Sequence, residues 1–352
     1  MSGAGCCGTC GPEAPARWVS GAVETASGPV PRVATRWTWR DTLGAWAVRS
    51  GIRRMRYTVP PGLYALGVPK PESPLLVTAN YKLSFDHVRR AMDGLDAWVL
   101  VLDTKGVNVW CAAGKGTFGT EELVSRLDLC QVAAVVEHKS VVVPQLGAPG
   151  VAAHEVSRRS GFRVVYGPVR ACDLPAFLRA GMRATPEMRR VRFTLPDRLA
   201  LAPNELARLF VPAVFVLAVF VAAAGLGRHG YRLTRELALG VAAAVGANYL
   251  AGIVLTPALL PWLPGRAFAV KGGIVGAVVG AALVWFGPFG WLGGLSSGLL
   301  SVAACSFLGL RFTGSTTYTS ASGVRREMGW ALPMQGALAV LGLAGWVAAR
   351  FV

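Results

Sequence analysis

From Pro74 onward the chain alternates short apolar runs with amphipathic ones. Leu75-Leu76-Val77-Thr78-Ala79-Asn80 is a short apolar run, and Phe85 to Met92 then spaces its apolar residues as a helix does. Ala97-Trp98-Val99-Leu100-Val101-Leu102-Asp103 repeats the strand signal, and Phe118 to Leu127 the helical one, after Gly116 and Gly119. Val132 to Val136 and Val141-Val142-Val143-Pro144 read as further strands, and Ala152 to Arg159 as a helix. Arg163 to Tyr166 reads as a strand and Leu174 to Leu178 as a helix. Such alternation predicts an α/β doubly wound, Rossmann-like domain with a mostly parallel sheet. Ligands of these sheets bind beyond the C-terminal strand ends, where Asn80, Thr104, Gln145 and Gly167 fall.

A different pattern fills the second half. Long apolar stretches at Leu209–Leu226, Leu237–Leu260, Ala267–Phe286, Phe289–Leu310 and Leu332–Ala349 each approach the ~20 residues that cross a bilayer. They predict an all-α membrane domain of five transmembrane helices over residues 201–352. Gly276 and Gly280, and the cluster Gly293-Gly294 with Ser297-Gly298, allow close helix approach. Asn248, inside a span, predicts a hydrogen bond to a neighbouring helix. Residues 1–35, rich in Gly, Pro, Ala and Ser without periodicity, read as a disordered tail, leaving 36–200 for the α/β domain. Trp37 to Tyr57 mixes aromatics with Arg and reads as a short helix on the domain or on the bilayer surface.

Composition sharpens this division. The 352 residues are 53% hydrophobic and 16% charged, with a mean hydropathy of +0.45. From Glu205 onward there are 3 acidic and 10 basic residues in 148 positions, against 16 and 26 before it. The net charge of +17 does not imply nucleic acid, because no nucleic-acid motif accompanies it and many cations sit near the span edges. Arg179, Arg183, Arg189, Arg190, Arg192, Arg198 and Arg208 precede the first span, which predicts a cytoplasmic (inner) membrane protein with that side cytoplasmic and the C-terminus outside. The loop with Arg228, Arg232 and Arg235 then lies outside, against the rule. The seven cysteines, odd in number and irregular in spacing, do not form a disulfide framework and favour a reducing compartment. Met1 to Cys10 lacks an apolar stretch, so no signal peptide or lipoprotein anchor is expected.

Candidate chemistry centres on Asn108-Val109-Trp110-Cys111-Ala112-Ala113-Gly114-Lys115, at what reads as a helix start. A lone thiol cannot build a zinc or iron–sulfur cage, which needs several ligands. It can supply one axial ligand to a metal that a macrocycle already holds, or it can be a buried small hydrophobe. His87, His138 and His154 do not pair at metal-ligand spacing and read as surface or satisfied side chains.

The octapeptide resembles the signature N-(V/I)-W-C-A-(A/G)-G-K of the mercury-methylating corrinoid proteins, the HgcA family. The resemblance continues in Val77 to Ser84, Leu102 to Gly106, Gly116 to Leu123, Pro144 to Val151 and Tyr166 to Arg170, and it covers about residue 60 to the C-terminus. The α/β domain also resembles the large subunit of corrinoid iron–sulfur proteins. These resemblances imply that a cobalamin or related corrinoid lies over the C-terminal sheet edge, with Cys111 as the lower axial cobalt ligand and the catalytic residue. They imply that Asn108, Val109, Trp110, Ala112, Ala113, Gly114 and Lys115 form a cap helix beneath it. They also imply that Thr78, Asn80, Thr104, Gln145, Gly147, Tyr166, Gly167 and Pro168 hold it from the strand ends. The implied activity is methyl transfer from cobalt to inorganic Hg(II), giving methylmercury in an anaerobic setting. Hg(II) is electrophilic and must receive methyl as a carbanion or radical equivalent, which an electron-donating thiolate assists.

The implied partners are a methyl donor linked to methyltetrahydrofolate and a ferredoxin-like reductant, HgcB, with two 4Fe–4S clusters. A cluster needs about four thiolates, and no C-x2-C-x2-C run exists here, so no iron–sulfur cluster is expected in this chain. The Asp-x-His-x-x-Gly motif of His-ligated corrinoid proteins is absent, since Asp86-His87 leads into Val88-Arg89-Arg90. Cys6, Cys7 and Cys10 lie outside the family pattern and read as part of the tail; a soft-metal relay is the functional alternative. The Thr/Ser-rich stretch Arg311 to Val324 resembles a segment of corrinoid iron–sulfur proteins and reads either as a linker or as a contact for the corrinoid domain or ferredoxin. Two other functions stand beside mercury methylation: a membrane-anchored methyl carrier of one-carbon metabolism, and a soft-metal transporter built on the spans.

Overall fold

The computed structural model describes residues 16–313 and 321–352. These form two compact units, one running to residue 191 apart from residues 49–51, the other holding 49–51 and 192–352.

The first unit is built on a seven-stranded sheet. In chain order its elements are β1 (Val19–Thr25), β2 (Gly28–Val33), α1 (Trp39–Arg49), β3 (Gly62–Leu66), β4 (Leu75–Ala79), α2 (Lys82–Ala91), β5 (Ala97–Leu102), α3 (Val109–Lys115), α4 (Thr120–Leu129), α5 (Val132–Val135), β6 (Ser140–Val143), α6 (Ala153–Ser160), β7 (Arg163–Tyr166) and α7 (Leu174–Arg179). The sheet order is β1-β2-β3-β5-β4-β6-β7. Strands β5, β4, β6 and β7 run parallel, whereas β3 runs antiparallel to β5 and β1 antiparallel to β2. The expected mixed α/β unit is therefore present, with a parallel block carrying an antiparallel extension.

Alternation along each strand sends side chains to two cores. Leu75, Val77, Ala79, Leu100, Leu102, Val141 and Val143 face α3 to α6, where they meet Ala112, Phe118, Leu123, Leu127 and Val156. Leu76, Val99, Val101 and Val142 face the other way, onto Phe85, Val88 and Met92 of α2 and Phe177 of α7. A sheet buried on both faces is why these strands read as unbroken apolar runs.

Three expectations need correction. The tail was expected to reach residue 35, but β1 and β2 form a hairpin turning through Ala26 and Ser27, with Val30 and Val33 buried. Its valines are few and separated by Gly, Pro and polar residues, so no apolar run marks it. Strand β3 was not anticipated, because Pro60, Pro61 and Gly62 break the pattern at its start, yet it is wholly buried. Val132 to Val136, expected as a strand, begins with one helical turn. Gln131 takes a left-handed conformation (φ 46°) that turns the chain after α4, and Val132, Val135 and Val136 drop into the core.

The second unit holds α8 (Leu195–Leu199), α9 (Ala202–Ala224), α10 (Arg235–Leu250), α11 (Thr256–Leu259), α12 (Phe268–Phe286), α13 (Gly290–Thr313) and α14 (Ala321–Ala348). A π-helical turn, Ala251–Leu255, joins α10 to α11 just before Pro257, where a proline interrupts the hydrogen-bond ladder. Five helical stretches are long and apolar enough to cross a membrane: Leu195–Ala224, Arg235–Leu259, Phe268–Phe286, Gly290–Thr313 and Ser322–Ala348. The fifth begins about ten residues earlier than expected, because Arg325, Arg326 and Glu327 continue the helix in polar turns that hydropathy alone ignores.

Helices α12 and α13 pack through glycine. A side chain at Gly272 or Gly276 would collide with the carbonyl of Cys305 or Ser301, and one at Gly280 would lie 2.7 Å from Gly298 Cα. Asn248 bridges helices as expected, donating to Ser301 Oγ at 3.0 Å, while the Cys305 thiol lies 3.4 Å from its Oδ1. Gln335 Nε2 lies 2.8 Å from Ser306 Oγ.

Candidate functional site at the C-terminal sheet edge

Strand order creates the site. The chain passes from β4 to β5 on one side, then returns across β4 to place β6 on the other. In doubly wound sheets such a switch point between β4 and β6 is where the following loops part and a ligand crevice lies. Asn80 ends β4, and Pro144-Gln145 ends β6. Helix α3 packs on the Gln145–Gly147 turn and on β4, so the octapeptide covers this crevice.

The loop leading into α3 is wired by Asn80. Its Oδ1 accepts from Thr104 N at 3.1 Å and from Gly106 N at 3.0 Å, and its Nδ2 donates to Asp103 Oδ1 at 3.1 Å. The Thr104 hydroxyl, with one proton, lies 2.8 Å from Asn80 Oδ1 and 2.6 Å from Val107 O. Lys105 and Gly106 both take left-handed φ values, 57° and 73°, which reverses the chain toward α3. Asp103 accepts from Lys105 N at 3.0 Å and pairs with the Lys105 ammonium. Burial works to raise the Asp103 pKa, but the Lys105 hydrogen bonds and charge outweigh it and hold the carboxyl below its ordinary value.

Helix α3 begins where Asn108 caps it. Its Oδ1 accepts from Cys111 N at 2.9 Å. Gly116 closes the helix in a left-handed conformation (φ 80°). Val109, Ala112 and Ala113 are buried in the core, whereas Trp110 and Cys111 are half-exposed and Gly114 and Lys115 exposed. These four form one outward face. Cys111 is a free thiol on it. One turn on, a side chain at Gly114 would meet nothing within 4 Å, so the surface beside the thiol is flat backbone.

The segment after β6 fixes the position of α3. A side chain at Gly147 would strike the Phe118 ring, and one at Gly150 would strike Phe118 O and lie 3.2 Å from Ala113 Cα. Thr120 N donates to Gly150 O at 3.1 Å, and Tyr166 hydroxyl to Val151 O at 2.7 Å. Gly167 leaves no room either, since a side chain there would lie 2.9 Å from Val142 Cγ1. Gln145 Oε1 is buried without a hydrogen-bond partner. A buried acceptor left unpaired costs about 1–3 kcal/mol, so a donor from a bound molecule fits there.

The sequence-expected residues thus divide into two groups. Trp110, Cys111, Gly114, Lys115 and Gln145 present surface or an unused polar atom. Thr78, Asn80, Thr104, Gly147, Gly167 and Pro168 are buried, and Val109, Ala112 and Ala113 face the core. Among the buried ones, Asn80 and Thr104 visibly shape the loop before α3. Tyr166 is half-buried and committed to Val151. Two participants were not foreseen. Phe118 is the fixed surface for both glycines, and Glu122 Oε1 accepts from Asp103 N at 2.8 Å across 19 residues. The Gly147 and Gly150 positions hinted at the first; nothing local signalled the second.

The histidines lie elsewhere. His138 bridges Ser73 O at 2.8 Å and the Ser140 hydroxyl at 3.2 Å, and His87 and His154 are exposed. Among the described residues, no group of three or more His, Cys, Asp or Glu gathers to hold a metal ion. Among the described residues, then, Cys111 is a lone candidate ligand, without companions to form a cage. Asp86 is buried between Arg89 (2.7 Å) and Lys82 (2.7 Å) and serves to tie α2 together.

Comparison with known proteins covers the same region. Residues 53–178 match the family described as CO dehydrogenase/acetyl-CoA synthase delta subunit. The gamma subunit of the acetyl-CoA decarbonylase/synthase complex from Methanopyrus kandleri is 32% identical over 149 residues, 39% of this chain and 32% of that protein. The gamma subunit from Archaeoglobus fulgidus is 29% identical over 113 residues, 32% of this chain and 24% of that protein. That from Methanocaldococcus jannaschii is 29% identical over 128 residues, 36% of this chain and 26% of that protein. The chain thus spans about a quarter to a third of the length of these curated relatives.

Proposed function

We propose that this chain is a membrane-anchored, corrinoid-dependent methyl carrier in which the Cys111 thiolate would hold the corrinoid's cobalt. The observation that carries the reading is the outward face of α3, where a free thiol stands beside an open glycine over the crevice at the β4/β6 switch point. The similarity of residues 53–178 to the CO dehydrogenase/acetyl-CoA synthase family, and the resemblance to corrinoid iron–sulfur protein large subunits, support it.

A corrinoid would supply a cobalt-bound methyl group that can be handed to an acceptor. The protein's own work is positional. Asn108 holds Cys111 N and with it the start of α3. Trp110 and Gly114 flank the thiol with flat surface, which suits a planar ring. Gln145 Oε1 offers one hydrogen-bond acceptor to an amide donor at the ring periphery. Asn80, Asp103 and Glu122 keep the loop before α3 rigid, so the thiol keeps its place as its electron donation is called on. On this reading a ferredoxin-like partner would supply electrons to the bound metal, and a methyltetrahydrofolate-linked donor would supply methyl.

The acceptor distinguishes two readings. A carrier of one-carbon metabolism is what the relatives favour. Hg(II) is favoured by the octapeptide Asn108–Lys115, which resembles the mercury-methylating signature throughout. The full chain loaded with a corrinoid bearing an isotopically labelled methyl group separates them. Methylmercury carrying the label, formed by the native chain and lost in Cys111→Ala, supports mercury methylation. Label passing to a one-carbon acceptor without methylmercury leaves the carrier reading and removes the mercury one. No Cys111-dependent transfer to either removes both.

A further inference from the structure

The surface of the first unit carries a second feature that methyl transfer does not use. Helix α1 buries Ala45 and Val48 and anchors itself through Asp41, whose Oδ1 accepts from Arg89 at 2.6 Å. Gly44 lies so close to the Tyr57 hydroxyl that no side chain fits between them. These residues define the inner face. The outer face is not polar, as it would be on an ordinary surface helix. Trp39, Leu43 and Trp46, one turn apart, are 66%, 58% and 60% exposed, and Ile52 just beyond is 59% exposed. Single exposed apolar residues need no explanation, but two tryptophans and a leucine in one stripe do.

The charges around the stripe identify what covers it. Between residues 36 and 57 there are six arginines, Arg36, Arg40, Arg49, Arg53, Arg54 and Arg56, and one acidic residue, Asp41. The acid is turned inward onto Arg89. Helical geometry sets Arg40 on one flank of the stripe and Arg49 on the other, and the Arg40 guanidinium lies 5.2 Å from the Trp39 ring. A stripe of Trp and Leu bordered by cations is the composition of a helix lying in a lipid headgroup layer. The same chain carries five helices apolar enough to cross a bilayer, so a bilayer is at hand. We infer that α1 is an interfacial anchor, with Trp39, Leu43, Trp46 and Ile52 in the lipid boundary and the arginines on anionic phosphate headgroups. The occupant is an anionic lipid surface. A protein partner would also cover apolar area, but arginine on both flanks and downstream suits a continuous layer of phosphates better than one bounded patch. The anchor is independent of corrinoid binding.

Photolabelling of the full chain tests this. The protein is reconstituted in nanodiscs of phosphatidylcholine containing phosphatidylglycerol whose acyl tail carries a diazirine, and labelled peptides are mapped by mass spectrometry. The α1 peptide is expected to be labelled together with the spans, while the exposed α6 peptide stays unlabelled. In the variant Trp39→Ser/Leu43→Ser/Trp46→Ser, α1 labelling is expected to fall to the α6 level, with the spans labelled as before. Hydrogen exchange at β4 and β5 reports that the fold persists in that variant. Absence of label on α1 in the native chain overturns the inference. So does undiminished label in the triple variant, or protection of α1 only on adding a ferredoxin-like protein. Replacing Arg53, Arg54 and Arg56 by Gln is expected to weaken labelling, since each cation at an anionic surface contributes about fivefold in affinity; no change there contradicts the role given to phosphate.

Discussion

At the scale of single residues, the site is a set of close fits around one helix. The octapeptide was legible because its residue types separate cleanly: Asn108 caps, Val109, Ala112 and Ala113 pack, and Cys111 with Gly114 faces out. Asn80 and Thr104, expected at the cofactor from their strand-end positions and the family resemblance, are buried and hydrogen-bonded within the loop before α3. A strand-end position locates a side chain without telling which way it points, and a hydrogen-bond network spread over Asn80, Asp103 and Glu122 has no local signature. The cap gives a direct prediction. Asn108→Ala removes the acceptor for Cys111 N and should destabilise α3 by about 1 kcal/mol. Hydrogen exchange should show faster opening of Trp110 to Ala113, with β4 and β5 unaffected. Unchanged protection in α3 would mean that packing alone holds the helix.

At the scale of elements, the parallel block was legible and the added strands were not. Strands β4 to β6 are buried on both faces and β7 is half-buried at the sheet edge, and apolar runs announced them. Hairpin β1–β2 and strand β3 begin in or lie among Gly and Pro residues that break up the apolar pattern. Val132 to Val136 shows the converse, because a short run of valines is equally compatible with one buried helical turn and only Gln131 decides. Among the spans, small residues marked the closest pair correctly. Gly276 of α12 lies against Ser301 of α13 with no space for a side chain. Gly276→Val should force the helices apart and lower stability by about 1–3 kcal/mol, as overpacking does. Thermal unfolding in detergent or nanodiscs checks this, with Gly246→Val as a control because nothing lies within 4 Å of Gly246.

At the scale of the molecule, an α/β unit over residues up to 191 and a helical unit beyond it match the charge asymmetry of the chain. Acid should act first on the α/β unit. Burial works to raise the pKa of Asp41, but hydrogen bonds from Thr38 and the charges of Arg89 and Lys82 outweigh it and hold it below its ordinary value; Asp103 is lowered as well. A carboxylate with a depressed folded-state pKa adds stability above its unfolded value of about 4 and loses it as pH falls through the folded value. Protection of α1 and of the Asp103 to Val107 loop should therefore be flat from neutral pH to about 5 and decline below about 4. Hydrogen exchange across that range measures it, and protection unchanged in acid would contradict the pairing described. The central claim is tested most directly by an absorption spectrum. The purified full chain, reconstituted with a cobalamin and freed of excess, should retain the chromophore with a spectrum distinct from free cobalamin. Cys111→Ala should retain it with a different spectrum, because the axial ligand has changed. Failure to retain any corrinoid, or identical spectra for the two proteins, would contradict the account.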